Sequence, residues 1–211
     1  MSGEETVKPS AKLDLYKEFE KQYVKPKKPV FVDIPAIPYL TACGRGQPGG
    51  EDFRRKIGAL FGAAYTIKMA RKSAGQDYKV CGLEALWWVD DAGKPVDEVP
   101  LDEWTWKLMI RVPGFITARE VKQAAAALEE KGKLPEGVEV RLEKIKEGQC
   151  VQMLHVGPYQ EETRTVQAMK EFAEANKMRF HGPHHELYIS DPNRVASERL
   201  RTILRQAVRA A

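Results

Sequence analysis

The sequence predicts an α+β fold: a duplicated strand-helix-strand-strand module forming a mostly antiparallel sheet, with two long helices on one face and a ligand groove on the other. Two observations carry this. The segments 36–112 and 149–208 share one order of elements, a strand that stops at a glycine, an amphipathic helix, and then two further strand-like runs. The runs after each helix are short and alternating, which suits antiparallel pairing rather than the continuous apolar strands of a parallel sheet.

Residues 1–29 are polar and lysine-rich, yet Leu15, Phe19 and Tyr23 recur every four residues, the stripe of a short helix lying against something larger. We read 1–29 as an N-terminal helical arm and linker, closed by Pro26 and Pro29, and 30–211 as the folded domain. Ile37 to Cys43 is the first apolar strand. A helix then spans about 51–72, with Phe53, Ile57, Leu60, Phe61, Ala64 and Ile67 on one face. Residues 84–89 and 103–112 read as strands, joined through an Asp-Asp-Ala-Gly turn at 90–93.

Thr117 and Glu120 have the spacing of a capping box, so a connecting helix starts there and stops at Gly132 and Pro135. Val138, Val140 and Leu142 alternate as a strand, and 149–156 is another. The Gly157-Pro158 turn leads into a helix reaching about Asn176, with Val166, Met169, Phe172 and Ala173 inward. Residues 186–190 form the next strand, and the apolar residues from Leu200 to Val208 fit a strand, a helix or both.

Several function classes are set aside by composition. No run approaches the ~18–20 apolar residues of a membrane span, and the first ten residues lack the apolar centre of a secretory signal. A cytoplasmic protein without a membrane partner is therefore expected. Cys43, Cys81 and Cys150 are odd in number and unpaired in spacing, so neither a disulfide framework nor a thiolate zinc site is suggested. The 34 basic and 30 acidic residues leave a net charge of +4, too balanced for direct nucleic-acid binding. No cofactor is expected, and the sequence says nothing of oligomeric state.

Gly44, Gly46 and Gly49 spell GxGxxG between a strand and a helix, but the antiparallel pair that follows is the wrong context for a dinucleotide site, and a turn is the better reading. His181, His184 and His185 crowd before Glu186. On a strand, however, His185 and Glu186 point to opposite faces, and no HExxH stands elsewhere, so no metal is assigned.

Strand alternation places Glu186 with Tyr188, and Leu187 with Ile189. The aliphatic pair suits the face that carries the helices, which would send Glu186 and Tyr188 to the open face. A carboxylate among aromatic rings is poorly solvated, and its pKa rises toward the range useful for proton transfer. Tyr159 and Glu162 sit at the turn into the second long helix, where acidic groups also favour the helix dipole. Trp87, Trp88, Trp104 and Trp106 lie in the two strands of the first half; alternation splits Trp87 from Trp88, so one of that pair faces the groove as a stacking wall. Tyr39, on the first strand, joins them as a candidate ligand contact.

The turn His155-Val156-Gly157-Pro158-Tyr159 with Glu162, the segment 184–192, and the runs 83–88 and 104–110 together resemble the GyrI-like small-molecule-binding family, and more narrowly its stand-alone bacterial branch. The resemblance covers nearly the whole chain. One position departs from the pattern: Thr163 follows the turn glutamate where a proline is expected. The resemblance implies a groove between repeats that binds hydrophobic, often aromatic or cationic compounds, with Glu186 at the position of a recurring central glutamate. Some members of that branch are cyclopropanoid cyclopropyl hydrolases, which open the reactive ring of DNA-alkylating natural products with water.

For this chain the resemblance therefore implies such a detoxifying hydrolase. Glu186 and Glu162 would be the acid–base pair, and Tyr159 or Tyr188 would orient water or donate to the substrate carbonyl. Which glutamate is the base stays open. The alternatives are a protein that binds and sequesters or senses such molecules without catalysis, and a gyrase-interacting protein. For the last, the positive net charge disfavours a DNA-mimicking surface.

Overall fold

A computed structural model of the chain describes residues 12–90 and 99–211. All but the first residue of the expected 90–93 turn, and the first eleven residues of the arm, lie outside the described residues. Eight strands form one sheet: β1 (Val30–Ile34), β2 (Ile37–Arg45), β3 (Leu83–Trp88), β4 (Thr105–Arg111), β5 (Arg141–Ile145), β6 (Gly148–Val156), β7 (Met178–Tyr188) and β8 (Arg201–Ala210). The helices are α1 (Leu15–Glu18), α2 (Glu51–Ser73), α3 (Ala118–Glu129) and α4 (Glu162–Ala175).

The strand order is β1-β6-β8-β7-β3-β4-β2-β5, and every strand pair is antiparallel. Within it the predicted duplication is plain. The first half orders its strands β3-β4-β2 around α2, the second orders β7-β8-β6 around α4, and the two meet where β3 pairs with β7. With only antiparallel pairs, the glycines at 44–49 serve a turn into α2 rather than a dinucleotide crossover.

The leading strands are exchanged. β1 flanks β6 in the second half while β5 flanks β2 in the first, although only two residues separate β1 from β2 and two separate β5 from β6. A link of that length spans at most about 11 Å. The strands it joins stand six places apart, roughly 29 Å across a flat sheet. The sheet must therefore curl until its edges approach. Accordingly Ile34 and Ile37, from opposite ends of the strand order, share one buried cluster with Leu86, Met109, Cys150 and Ala207 on the concave face.

The convex face carries the helices. Leu60, Ala63, Ala64 and Ile67 of α2 pack on Leu40, Ala42, Ala85, Leu108 and Ile110, and Met169 and Ala173 of α4 pack on Val151 and Leu204. Trp106 lies flat over Gly44, where any Cβ would run into the indole ring. The capping box at Thr117 forms as expected, and α3 rests on α2 at Gly62, beside Leu128.

The concave face is filled rather than open. Leu187 and Ile203 pack there against Tyr23, with Tyr16 and Phe19 of the arm close by. Beneath them lies a buried polar network. Glu84 accepts from the hydroxyls of Tyr39 (3.0 Å) and Tyr23 (3.3 Å), and His185 Nε2 stands 3.1 Å from it. His185 Nδ1 is 3.0 Å from Glu147, which also accepts from Arg205 at 3.0 Å. An imidazole between two carboxylates donates from both nitrogens, so it carries charge; although its burial opposes this, Glu147 raises its pKa.

Three elements, β1, β5 and β7, differ from the sequence expectation, and the C-terminal alternative is settled; β1 (Val30–Ile34), mostly half-buried, is a strand where none was expected. β5 begins at Arg141; Val138 and Val140, expected within it, are buried just before it. β7 begins at Met178, with a bulge between Phe180 and His184 that hides its length from a periodicity count. The C-terminal segment is a strand throughout.

Burial alone would raise the carboxyl of Glu147, but His185 and Arg205 hold it down to about 2 against an ordinary 4.5. A depressed carboxyl stabilises the fold above its unfolded pKa and loses that stabilisation as pH falls through the folded one. The wild type is expected to exceed Glu147→Gln by about 3 kcal/mol or more at neutral pH. That margin should shrink as pH drops from 4.5 toward 2. Urea melts of both proteins across this range check it; a margin independent of pH would contradict the assignment.

Candidate active site

The cross-strand register decides which side chains meet. Trp87 pairs with His184 and Ala85 with Glu186 across the junction of the halves; on the other side Glu186 pairs with Leu204 and Tyr188 with Thr202. Directly opposed residues share a face. His184, Glu186, Tyr188 and Thr202 therefore stand with Trp87 on the convex face, in the seam between α2 and α4. Ala85 beside Glu186 has no side chain beyond Cβ, which leaves the carboxyl room.

Glu162 reaches this floor from above. β6 ends at Val156, Gly157 takes φ +135°, and a turn of 3-10 helix at Tyr159–Glu161 leads into α4. His155 pins the turn. Its Nε2 is 3.1 Å from the carbonyl of Pro158 and its Nδ1 is 2.9 Å from the hydroxyl of Thr165. The carbonyl only accepts, so Nε2 carries the proton and Nδ1 accepts from Thr165. Burial lowers the pKa of His155 and keeps it in this neutral form.

The carboxylates of Glu162 and Glu186 offer oxygens within 4.8 Å of each other. Both pKa values are raised, by burial first; the charge of Glu186 adds to the rise of Glu162, whereas Tyr188, Glu162 and Trp87 temper that of Glu186. Like charges this close in a poorly solvated seam do not both ionise at neutral pH, so the pair holds at least one proton. Burial, followed by the charges of Glu186 and Glu162, also raises Tyr159 to about 12.

The aromatic surround is built in the same register. Phe53 stacks on Trp87 at 5.6 Å and Trp104 meets it edge-on at 6.1 Å, while Tyr159 and Tyr188 form a T-shaped pair at 5.9 Å. The indole N–H groups of Trp88, Trp104 and Trp106 donate to Asp90, the carbonyl of Val99 and the carbonyl of Gly46. The buried N–H of Trp87 has no hydrogen-bond partner among the described residues, and neither has Oε1 of Glu162. The seam thus presents one unused carboxyl oxygen and an indole N–H turned toward Glu186 and Tyr188 without a closed hydrogen bond.

A family model for the GyrI-like small molecule binding domain matches residues 27–206. The chain belongs to that family. An uncharacterized conserved protein from Listeria innocua is 34% identical, with a TM-score of 0.86 over 94% of this chain and 100% of that one. A hydrolase from Listeria innocua is also 34% identical, with a TM-score of 0.82 and the same coverage. At 12% identity the C-terminal domain of EcmrR shares the fold, with a TM-score of 0.53 over 87% of this chain and 98% of that one. No curated protein matches the chain. Among the described residues, no helix is long and apolar enough to cross a membrane.

In this GyrI-like domain Glu186, Glu162, Tyr159, Tyr188 and Trp87 gather in the seam, with Trp104 against Trp87. Trp106 is buried beneath Phe53 at 1% exposure, a packing residue. Trp88 and Tyr39 are on the concave face, Trp88 against the Leu86 and Met109 cluster and Tyr39 bonded to Glu84. The expectation that Glu186 and Tyr188 face away from the helices is corrected. Leu187 faces the arm, not the helices, and because both faces of β7 are covered, apolar alternation does not tell them apart.

Sequence reasoning missed His184, Thr202, Phe53 and the role of His155. His184 was legible, since it stands two residues before Glu186 and so shares its face. Replacing His155 with alanine removes both ties to the 157–165 turn and is expected to destabilise the domain by about 1–3 kcal/mol. Hydrogen exchange should quicken most at amides 157–165. Acceleration spread evenly over the sheet would contradict the pinning role.

Proposed function

We propose that this GyrI-like domain binds hydrophobic aromatic molecules in the seam and adds water to the cyclopropane of electrophilic, DNA-alkylating compounds. The observation that carries this reading is the meeting of Glu162 and Glu186 in the seam, their oxygens within 4.8 Å of each other and both carboxyls raised by burial, beside the N–H of Trp87. A binding site for an organic cation needs one carboxylate; a pair poised at a single proton suits proton transfer. The 34% identity to a protein described as a hydrolase supports it.

Glu186 is the base in this reading. Tyr188 adjoins its carboxyl and favours the ionised form, whereas Glu162 has Thr202 and one unpartnered oxygen, so in this reading the shared proton rests on Glu162. Glu186 takes a proton from a water molecule as the water oxygen bonds to the ring methylene. The strained C–C bond breaks, and its electron pair moves through the conjugated system to the carbonyl oxygen. That oxygen becomes a phenolate, stabilised by donors such as the Trp87 N–H or the Tyr159 hydroxyl, and takes a proton from solvent. Glu186 returns its proton to solvent, so the net change is the addition of one water.

Incubation with a cyclopropane-bearing duocarmycin-type compound, followed by mass spectrometry, is expected to give the ring-opened product heavier by one water. Glu186→Gln should lower kcat/KM by about 10²- to 10⁴-fold. Glu162→Gln, whose amide still donates, should cost less. Tight binding without turnover in the wild type would make the domain a sequestering or sensing module instead.

A further inference from the structure

The same seam holds a ligand set that the acid–base reading does not use in full. Oxygens of Glu162 and Glu186 and a ring nitrogen of His184 all lie within 4.8 Å of one another. Two carboxylates and an imidazole are a common donor set for zinc and other divalent transition metals. The sequence argument against a metal concerned His185, which faces the other way; His184 and Glu186, two apart on β7, face together.

Two further observations point to a cation. Oε1 of Glu162 has no hydrogen-bond partner, although the residue is only 8% exposed. His184 Nε2 and Glu186 Oε1 stand 3.9 Å apart, too far for a hydrogen bond but close to the span of two ligands each about 2.0–2.2 Å from one metal ion. Two ionised carboxylates carry the charge that a divalent cation cancels, and a neutral imidazole adds a nitrogen donor.

We propose that Glu162, His184 and Glu186 form a binding site for a divalent transition-metal cation of the zinc type, with its remaining coordination positions open toward the seam. The proposal rests on this geometry and not on the hydrolase reading. The ion and the shared proton occupy the same carboxylates, so bound metal displaces about one proton and inhibits water addition.

Untagged, metal-free protein titrated calorimetrically with zinc sulfate, in buffers of different ionisation enthalpy, tests it. One zinc per chain is expected, with about one proton released. Glu162→Gln and His184→Ala should each weaken binding by about tenfold or more, and His181→Ala, a change to the neighbouring histidine outside the cluster, should leave it unchanged. Absence of binding in the wild type, or binding in His184→Ala and Glu162→Gln as tight as in the wild type, would overturn the site. Should either variant fail to fold by circular dichroism, zinc-edge X-ray absorption on the wild type decides: a first shell with one imidazole and oxygen ligands supports the site, and a shell without imidazole overturns it. Turnover in protein that binds no zinc would sink the metal site alone, and zinc binding by a protein whose metal-free form gives no turnover would sink the hydrolase reading alone.

Discussion

The two-residue links between β1 and β2 and between β5 and β6 govern the architecture, because they join strands six places apart in one sheet. A flat sheet cannot satisfy them. The resulting curl divides the two faces by curvature. The concave face encloses a space that the arm fills with Tyr23 and a polar network, and the convex face must carry both long helices. Helices on separate halves of a convex surface leave a seam along the β3–β7 junction, and the convex residues of that junction become the floor of the site.

Three consecutive residues of β7 show what this division does. His185 points inward between Glu84 and Glu147, with Arg205 and two tyrosine hydroxyls completing the network, and opposite charges are matched. Such a network is a rigid support. His184 and Glu186 point outward into the seam with Glu162, where two carboxyls meet without an adjacent cation and polar atoms are left unpartnered. Unsatisfied buried groups cost stability, typically about 1–3 kcal/mol each. Two such atoms, the Trp87 N–H and Oε1 of Glu162, meet the outward residues of β7 from β3 and α4, and it is this side, opposite the matched network, that can offer them to an incoming molecule.

Much of the architecture could be read from the chain because its signals are local. Helical periodicity marked α2 and α4, the Thr117-x-x-Glu120 spacing marked α3, and the repeated order of elements implied the duplication. Long-range placement was less legible. That Leu187 covers an arm residue and not a helix depends on a partner more than 160 positions away, which alternation along one strand cannot encode. For the same reason Tyr39 and Trp88 were grouped with residues on the other face. The exchange of β1 and β5 depends on strand order and leaves no local trace, while the candidate pair Glu162 and Glu186 was named from a turn and a strand whose meeting only the register explains.

The proposed chemistry depends on Glu162 and Glu186 sharing a single proton at neutral pH. Carbon-13 NMR of the protein labelled at glutamate side-chain carboxyls, titrated from pH 4 upward, measures it directly. The account predicts a carboxyl resonance that stays protonated at pH 7 and titrates well above the usual glutamate range, and that disappears in Glu162→Gln. If every glutamate carboxyl is ionised by pH 6, the two charges are separated by solvent, and the acid–base pair is wrong.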